Sequence, residues 1–203
     1  MKPRILVVFY SRNGSTEALS RALGEGAEAS GAEVRLRRAR ELVDETVMAR
    51  APGWIDAARR MNETYERPTE ADAEWADGIA LGAPTRFGGA ASELRAFMEG
   101  LGGLWFKGKL YGKAGAAFTS TSTPHGGNES TILSLYCAFA HLGMVIVPTG
   151  YGDSMSFKAG TPYGASSVSF GQKAELPTSD DLAVARFQGR RLTEVASALR
   201  SQT

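Results

Sequence analysis

The chain has 203 residues, of which 43% are hydrophobic and 22% charged, and these values are typical of one well-buried globular domain. Its 23 basic and 22 acidic residues give a net charge of +1, so the chain lacks the basic excess of a nucleic-acid-binding protein and any strong acidic excess. With one cysteine, Cys137, two histidines and no apolar run of membrane-span length, we expect no disulfide, no metal site, no membrane insertion and a cytoplasmic location.

The pattern of apolar and polar residues predicts alternating strands and helices. The first elements are a buried strand at Ile5–Tyr10, a helix at Ser15–Ser30 and an edge-like strand at Glu33–Arg38. A buried strand at Gly78–Ala83, ended by Pro84, and a helix at Ser92–Gly100 come next. The last elements are a strand at Ala114–Ser120, a helix at Glu129–Leu142, a strand at Val145–Val147 and a helix at Asp180–Leu199, with Thr178 or Ser179 as its N-cap.

Strands separated by helices favour a parallel sheet with helices on both faces, because the crossovers between parallel strands are right-handed. We therefore expect one α/β domain over residues 1–203, built on a doubly wound five-stranded parallel sheet. A charged excursion at about residues 41–75 interrupts the alternation, and we expect it to be mostly a solvated face. A Gly- and Ser-rich loop at about residues 150–177 has a length that usually carries function or partner contacts.

The first of three polar loops is SRNGST, Ser11–Thr16, between the first strand and the first helix. Two interpretations fit this loop. It is either a helix N-cap with additional serines, or an anion cradle in which hydroxyls and backbone amides join the positive end of the helix dipole. Arg12 is its only basic residue, and the G-x-x-x-x-G-K-[ST] pattern is absent after the first strand. An anion held here would therefore be a monophosphate rather than a triphosphate with magnesium.

Two further polar loops follow neighbouring strands, whose carboxyl ends meet at one edge of a parallel sheet. The loop PTRFGG (Pro84–Gly89) supplies a hydroxyl, a guanidinium, an aromatic ring and two glycines. The loop TSTPHGG (Thr121–Gly127) repeats the combination of hydroxyls and glycines. Together the three loops predict a pocket for a flat polar ring with a phosphate tail. The alternative is that Arg86 and Phe87 only cap the domain surface.

Six motifs carry a resemblance to a known family. They are GAPTRFGG (82–89), GGLW (102–105), LYGKAGAAFTST (110–121), AHLGMVIVPTGY (140–151), GTPYGAS (160–166) and ARFQGRRL (185–192). With the SRNGST loop, and in this order, they resemble the WrbA family of FMN-dependent NAD(P)H:quinone oxidoreductases over nearly the whole chain. The resemblance implies a flavodoxin-like fold with strand order 2-1-3-4-5. It also implies non-covalent FMN, NADH or NADPH as electron donor, and a homotetramer with active sites where chains meet.

The family's activity, as the resemblance implies it, is two-electron reduction of quinones by ping-pong hydride transfer through the flavin. The first loop would hold the FMN phosphate, the second would run along the isoalloxazine ring, and the third would close over the other edge of the ring and the ribityl chain. The implied cofactor-binding residues are Ser11, Arg12, Asn13, Gly14, Ser15, Thr16, Pro84, Thr85, Arg86, Phe87, Gly88, Ser120, Thr121, Ser122, Thr123, Pro124, His125, Gly126 and His141.

The implied catalytic residues are His141, Trp105 and Arg86, and Trp105 and Asn13 are the implied substrate contacts. His141 would donate a hydrogen bond or a proton to a quinone oxygen, and Arg86 would stabilise the reduced flavin. Structural roles remain open: His141 also fits a helix C-terminal cap, and Trp105 fits a core or subunit-interface aromatic. Cys137 is expected to be a small, buried and inert residue.

Two positions depart from the family pattern. Asn13 stands where many relatives have an aromatic residue that contacts the nicotinamide nucleotide, so the resemblance does not specify the nucleotide affinity or the choice between NADH and NADPH. The third loop is about one residue longer than the glycine-rich version, and this introduces His125. Two other functional classes stay open: a flavodoxin-type electron carrier, against which the near-neutral charge argues, and an FMN-binding assembly or regulatory protein with little turnover.

Overall fold

The structure, a computed structural model, describes residues 1–171 and 177–200. Its centre is a parallel sheet with strand order β2-β1-β3-β5-β6, and two short strands, β4 and β7, pair with β3 and β5. The strands are β1 (Arg4–Phe9), β2 (Glu33–Arg38), β3 (Gly78–Arg86), β4 (Gly89–Ala90), β5 (Ala114–Thr121), β6 (Val145–Ile146) and β7 (Ser166–Val168). This order confirms the predicted doubly wound sheet and the edge position of β2.

Within the described residues, the four predicted helices are present as α1, α5, α7 and α8, and four further helices, α2, α3, α4 and α6, were not predicted. The helices are α1 (Ser15–Ala29), α2 (Glu45–Met48), α3 (Trp54–Thr64), α4 (Glu70–Trp75), α5 (Ser92–Glu99), α6 (Gly102–Phe106), α7 (Asn128–His141) and α8 (Ser179–Arg200). Thr178 is the N-cap of α8, because its hydroxyl accepts the Asp181 N–H at 3.1 Å while the Asp181 carboxylate accepts the Thr178 N–H at 2.9 Å.

Each face of the sheet buries one apolar layer, because successive strand residues point to opposite sides. In β1, Val7 and Phe9 pack with α1 and α8, whereas Leu6 and Val8 pack with α5, α6 and α7. From Ile5 to Phe9 the β1 side chains are inaccessible to solvent on both faces, as the continuous apolar run predicts.

Helices α1 and α8 touch through glycine. A Cβ atom at Gly189 would lie 1.9 Å from the carbonyl oxygen of Leu23, and one at Gly26 would lie 2.0 Å from that of Arg186. Only hydrogen fits at either position, so these two glycines determine how closely the helices approach.

The fifth strand position is divided between two segments, which the sequence analysis did not predict. Strand β6 pairs with Ala114 and Gly115 at the start of β5, whereas β7 pairs with Thr119–Thr121 at its end. Between them the chain leaves the sheet and forms a 3₁₀ helix at Ser154–Phe157. The predicted loop at about residues 150–177 is therefore largely an insertion within one strand position, and its residues 172–176 lie outside the described residues.

The excursion at about residues 41–75 contains α2, α3 and α4 and has a small core of Met48, Trp54 and Ala58. The expectation of a mostly solvated face is wrong for two of its acids. The Glu41 and Asp72 side chains are only 7% and 6% exposed, and both are paired with arginines of β2. Within the described residues, every helix is too short or too polar to span a lipid bilayer.

Candidate functional site

A cavity of about 230 Å³ lies at the carboxyl ends of β1, β3 and β5. All three predicted polar loops contribute to its wall, as the topology of a parallel sheet requires. Its lining residues are Ser11, Arg12, Asn13, Ser15, Thr16, Pro84, Thr85, Arg86, Ser120, Thr121, Ser122 and Ser169. Hydroxyl groups dominate this wall, and the only charges among the described lining residues are those of Arg12 and Arg86. The composition suits an anionic, hydroxyl-bearing ligand.

The first loop enters α1 through a left-handed glycine. Gly14 is the N-cap, with φ of 100°, and its N–H donates to Ser11 Oγ at 3.0 Å. Since a hydroxyl that accepts one bond keeps its own proton, Ser11 can still donate to a ligand. Over the described chain, no side chain caps the first turn of α1. This geometry favours the anion-cradle interpretation of SRNGST over the helix-cap interpretation.

Hydroxyl contacts hold the loops against one another. Thr16 Oγ1 and Ser120 Oγ lie 2.8 Å apart, and both residues are buried. Thr85 Oγ1 donates to the carbonyl oxygen of Gly126 at 3.1 Å and accepts from Thr131 Oγ1 at 2.8 Å. The first turn of α1 is thereby joined to the end of β5, and β3 is joined to the third loop and α7, which preorganises the wall of the cavity.

The second loop is a hairpin rather than an irregular segment. The prediction that Pro84 ends the strand is wrong, because antiparallel pairing with β4 extends β3 to Arg86. The two turn residues, Phe87 and Gly88, both have positive φ, of 52° and 81°. This is the requirement of a type I′ two-residue turn, and it strains Phe87, which has a side chain. The Phe87 ring is fully exposed and is not part of the cavity wall.

The third loop folds tightly back on β5. A Cβ atom at Gly126 would lie 1.7 Å from Thr121 Oγ1, so this approach requires glycine. Thr121 and Ser122 line the cavity, whereas Thr123, Pro124 and His125 are exposed and stand outside its wall. The predicted cofactor residues that do not line the cavity are Gly14, Phe87, Gly88, Thr123, Pro124, His125, Gly126 and His141.

One acid lies close to the first loop, and its charge is paired. Glu17, in the first turn of α1, accepts two hydrogen bonds from Arg60 at 2.9 and 2.5 Å and one from the Tyr65 hydroxyl at 3.0 Å. Burial would raise the pKa of Glu17, but the hydrogen bonds and the charge of Arg60 outweigh it and hold this pKa below its usual value. The ionised Glu17 is thus compensated, and its repulsion of an anion at the helix N-terminus is reduced.

The structure does not bring His141 or Trp105 to this cavity. His141 ends α7 and lines a separate groove of about 500 Å³ between α5 and α7. Trp105, in α6, is 54% exposed. Cys137 lines the same groove as His141 and is exposed, so the prediction that it is buried is wrong. The inward positions of α7 are taken by residues such as Leu135 and Phe139, which leaves Cys137 on the outer face.

Sequence reasoning missed three residues at this site. Ser169 follows β7 and reaches the cavity because its N–H donates to the carbonyl oxygen of Thr121 at 2.9 Å. Arg38, at the end of β2, donates to the carbonyl oxygen of Ser11 at 3.2 Å, and Trp54 lies under the guanidinium of Arg12. The hydroxyl-rich SSVS segment could have indicated Ser169, but no local pattern connects Trp54 with a loop about forty residues earlier.

Comparison with known proteins gives consistent results. Residues 3–156 match the family model described as NADPH-dependent FMN reductase. The chain is 42% identical over 201 residues to the NAD(P)H dehydrogenase (quinone) of Azorhizobium caulinodans, covering 97% of this chain and 98% of that protein. It is 41% identical over 197 residues to the protein of the same name from Deinococcus radiodurans, covering 97% and 96%. The fold is similar to that of the flavodoxin, WrbA-like protein from Agrobacterium tumefaciens, with a TM-score of 0.67, 22% identity and coverage of 97% and 99%.

Proposed function

Because this chain belongs to the family of NADPH-dependent FMN reductases, and this match and its curated relatives confirm the predicted WrbA-family resemblance, we propose that it is an FMN-dependent NAD(P)H dehydrogenase (quinone). The observation that carries the proposal is the cavity at the N-terminus of α1, whose described lining residues are rich in hydroxyls and include no acid. The residues present fit FMN: the amides of α1 and the hydroxyls around them suit a phosphate. Gly126 allows the third loop to pack against Thr121, a residue of the cavity wall, because any side chain at this position would collide with the Thr121 hydroxyl.

Each loop has a defined task in this proposal. Ser11 and Thr16, with the first-turn amides of α1, bind the phosphate, and Ser120 and Thr121 donate to the ribityl hydroxyls. Arg86, which lines the cavity, and the backbone of the β3–β4 hairpin stabilise negative charge on the ring. FMN held by these residues would supply two-electron redox chemistry, by which a hydride from NAD(P)H and one proton from solvent or a side chain convert a quinone into a hydroquinone and leave NAD(P)⁺.

His141 and Trp105 enter the proposal through a second copy of the chain. Both residues are exposed and outside the cavity of their own chain, as would suit an active site completed where chains meet. We propose a homotetramer in which His141 donates a proton to the quinone oxygen and Trp105 forms an aromatic wall for either flat substrate. The His141 groove between α5 and α7 is accessible to such a partner.

The test is an anaerobic reduction experiment on the FMN-loaded protein. NADH or NADPH is added first and benzoquinone second, while the flavin absorbance is followed. Rapid bleaching by the nucleotide and full return of colour with benzoquinone are expected, with parallel double-reciprocal plots in steady state because both substrates use one site in turn. Binding of FMN without bleaching by either nucleotide would overturn the enzymatic proposal, and failure to bind FMN would overturn the assignment of the cavity.

A further inference from the structure

Arg12 is held against an aromatic ring that comes from the excursion between β2 and β3. Its guanidinium carbon lies 3.7 Å from the ring centroid of Trp54, and Arg12 also lines the cavity. A guanidinium at this distance from an indole face is attracted by the ring and loses much of its rotational freedom. The stack therefore keeps a positive charge beside the anion loop before any ligand arrives.

Trp54 is itself fixed by packing and by a hydrogen bond. It is 7% exposed and packs with Met48 and Ala58 in the small core of the excursion. Its indole N–H donates to Glu41 Oε1 at 3.3 Å. The ring under Arg12 is thus part of a rigid unit formed by Glu41, Met48, Trp54 and Ala58. A tryptophan on the open surface would instead rotate freely.

The same unit is attached to the backbone of the loop. Glu41 accepts hydrogen bonds from Arg38 at 2.5 and 3.1 Å, and Arg38, which is inaccessible to solvent, donates to the carbonyl oxygen of Ser11 at 3.2 Å. The unit therefore holds the loop at two consecutive residues, at the Ser11 backbone and at the Arg12 side chain.

We infer that Arg12 is the residue that makes this cavity select a phosphorylated flavin over an unphosphorylated one, and that Trp54 is its positioning residue. The inference rests on the proposed function, since it assumes that the ligand is a flavin. Its physical basis is that the hydroxyls and helix amides already favour an anion, and that a preorganised guanidinium adds a charge-assisted hydrogen bond that a phosphate can accept and an uncharged ribityl end cannot match. Of the two arginines at the cavity, only Arg12 belongs to the loop at the N-terminus of α1.

The test compares the dissociation constants of FMN and riboflavin, measured by quenching of flavin fluorescence on the flavin-free protein. Arg12→Gln is expected to raise the dissociation constant of FMN about ten- to hundredfold, which is the range for the loss of one charge-assisted hydrogen bond. The dissociation constant of riboflavin should stay within about twofold of the wild-type value. It should also flatten the salt dependence of FMN binding. Arg12→Lys, which keeps the charge but not the planar stack, should recover part of the loss.

Trp54 is tested with two substitutions. Trp54→Leu should raise the FMN constant about three- to tenfold without changing the riboflavin constant, and Trp54→Phe, which keeps an aromatic face, should have a smaller effect. Arg50→Gln is the matched control, because it removes one charge from an exposed arginine of the same excursion. It should change neither constant.

The outcomes separate the two proposals. If wild-type protein binds neither flavin, the proposed function fails. If it binds FMN and Arg12→Gln binds FMN equally well, or if Arg12→Gln and Trp54→Leu weaken FMN and riboflavin by the same factor, the selectivity role of Arg12 is wrong while the FMN assignment stands.

Discussion

Replacing Arg38 by methionine should destabilise the protein more than any exposed arginine substitution. The Arg38 side chain is 0% exposed and its partner Glu41 is 7% exposed, so the change leaves a buried carboxylate whose remaining hydrogen-bond donor among the described residues is the Trp54 indole. Removing one partner of a buried ion pair costs about 3 to 5 kcal/mol. Domains of this kind are stable by about 5 to 15 kcal/mol, so the variant should fold with a strongly reduced margin.

The assay is urea unfolding followed by far-ultraviolet circular dichroism. With a slope of about 2 to 3 kcal/mol per M for a chain of this length, the midpoint should fall by about 1 to 2 M. The matched control is Arg59→Met, because Arg59 pairs with Glu45 at 3.0 Å on the surface, where the two side chains are 63% and 62% exposed. That change should cost less than about 1 kcal/mol. Equal losses in the two variants would refute the reasoning from burial.

Three further results are expected. Gly189→Ala should lower the free energy of unfolding by about 2 kcal/mol or more in urea, since its Cβ would meet the Leu23 carbonyl at 1.9 Å, whereas Gly102→Ala, in open space on α6, should be neutral or stabilising. Gly126→Ala should weaken FMN binding at least tenfold by fluorescence titration, because the third loop must move away from Thr121, and unchanged affinity would contradict the close approach described. Asp72 is buried, which raises its pKa, but hydrogen bonds from Thr69, Arg37 and Arg35 outweigh burial and lower it. Its contribution to stability is therefore complete above a pH of about 4 and lost as the pH falls through the lowered pKa, so unfolding measured from pH 5 to 3 should show a shallower loss in Asp72→Asn than in wild type.

The main architecture could be predicted because it depends on long periodic segments. The continuous apolar run of β1 and the helical spacing in α1 each specify one element, and the topology of a parallel sheet then brings their connecting loops to one edge. For this reason the sequence predicted the first loop and the two other parts of the cavity wall, around Thr85 and around Thr121. The resemblance to WrbA proteins added the cofactor, which periodicity alone does not specify.

The parts that could not be predicted depend on short segments or on distant contacts. Strand β6 was predicted, but β7 has only three residues, too few to show a period, so the divided fifth strand and Ser169 were missed. Strand β3 passes Pro84 because of pairing with β4, a tertiary effect that outweighs the local preference of proline. The contact of Arg12 with Trp54 depends on how the excursion folds, and a pattern of charges gives no information about that.

The buried Arg38–Glu41 pair is better explained as a device that positions the first loop than as a source of folding stability. A buried ion pair gains little over well-packed apolar residues, and here Arg38 Nε has no hydrogen-bond partner among the described residues, which adds to the cost of burial. The apolar double variant Arg38→Met/Glu41→Leu should therefore recover most of the stability that Arg38→Met loses. It should not recover FMN affinity, because the Ser11 carbonyl oxygen lacks its donor in both variants and Trp54 loses the acceptor for its indole N–H in the double variant. Recovery of stability without recovery of affinity would show that the charges are kept to hold the anion loop, whereas parallel recovery of both would assign the pair to folding alone.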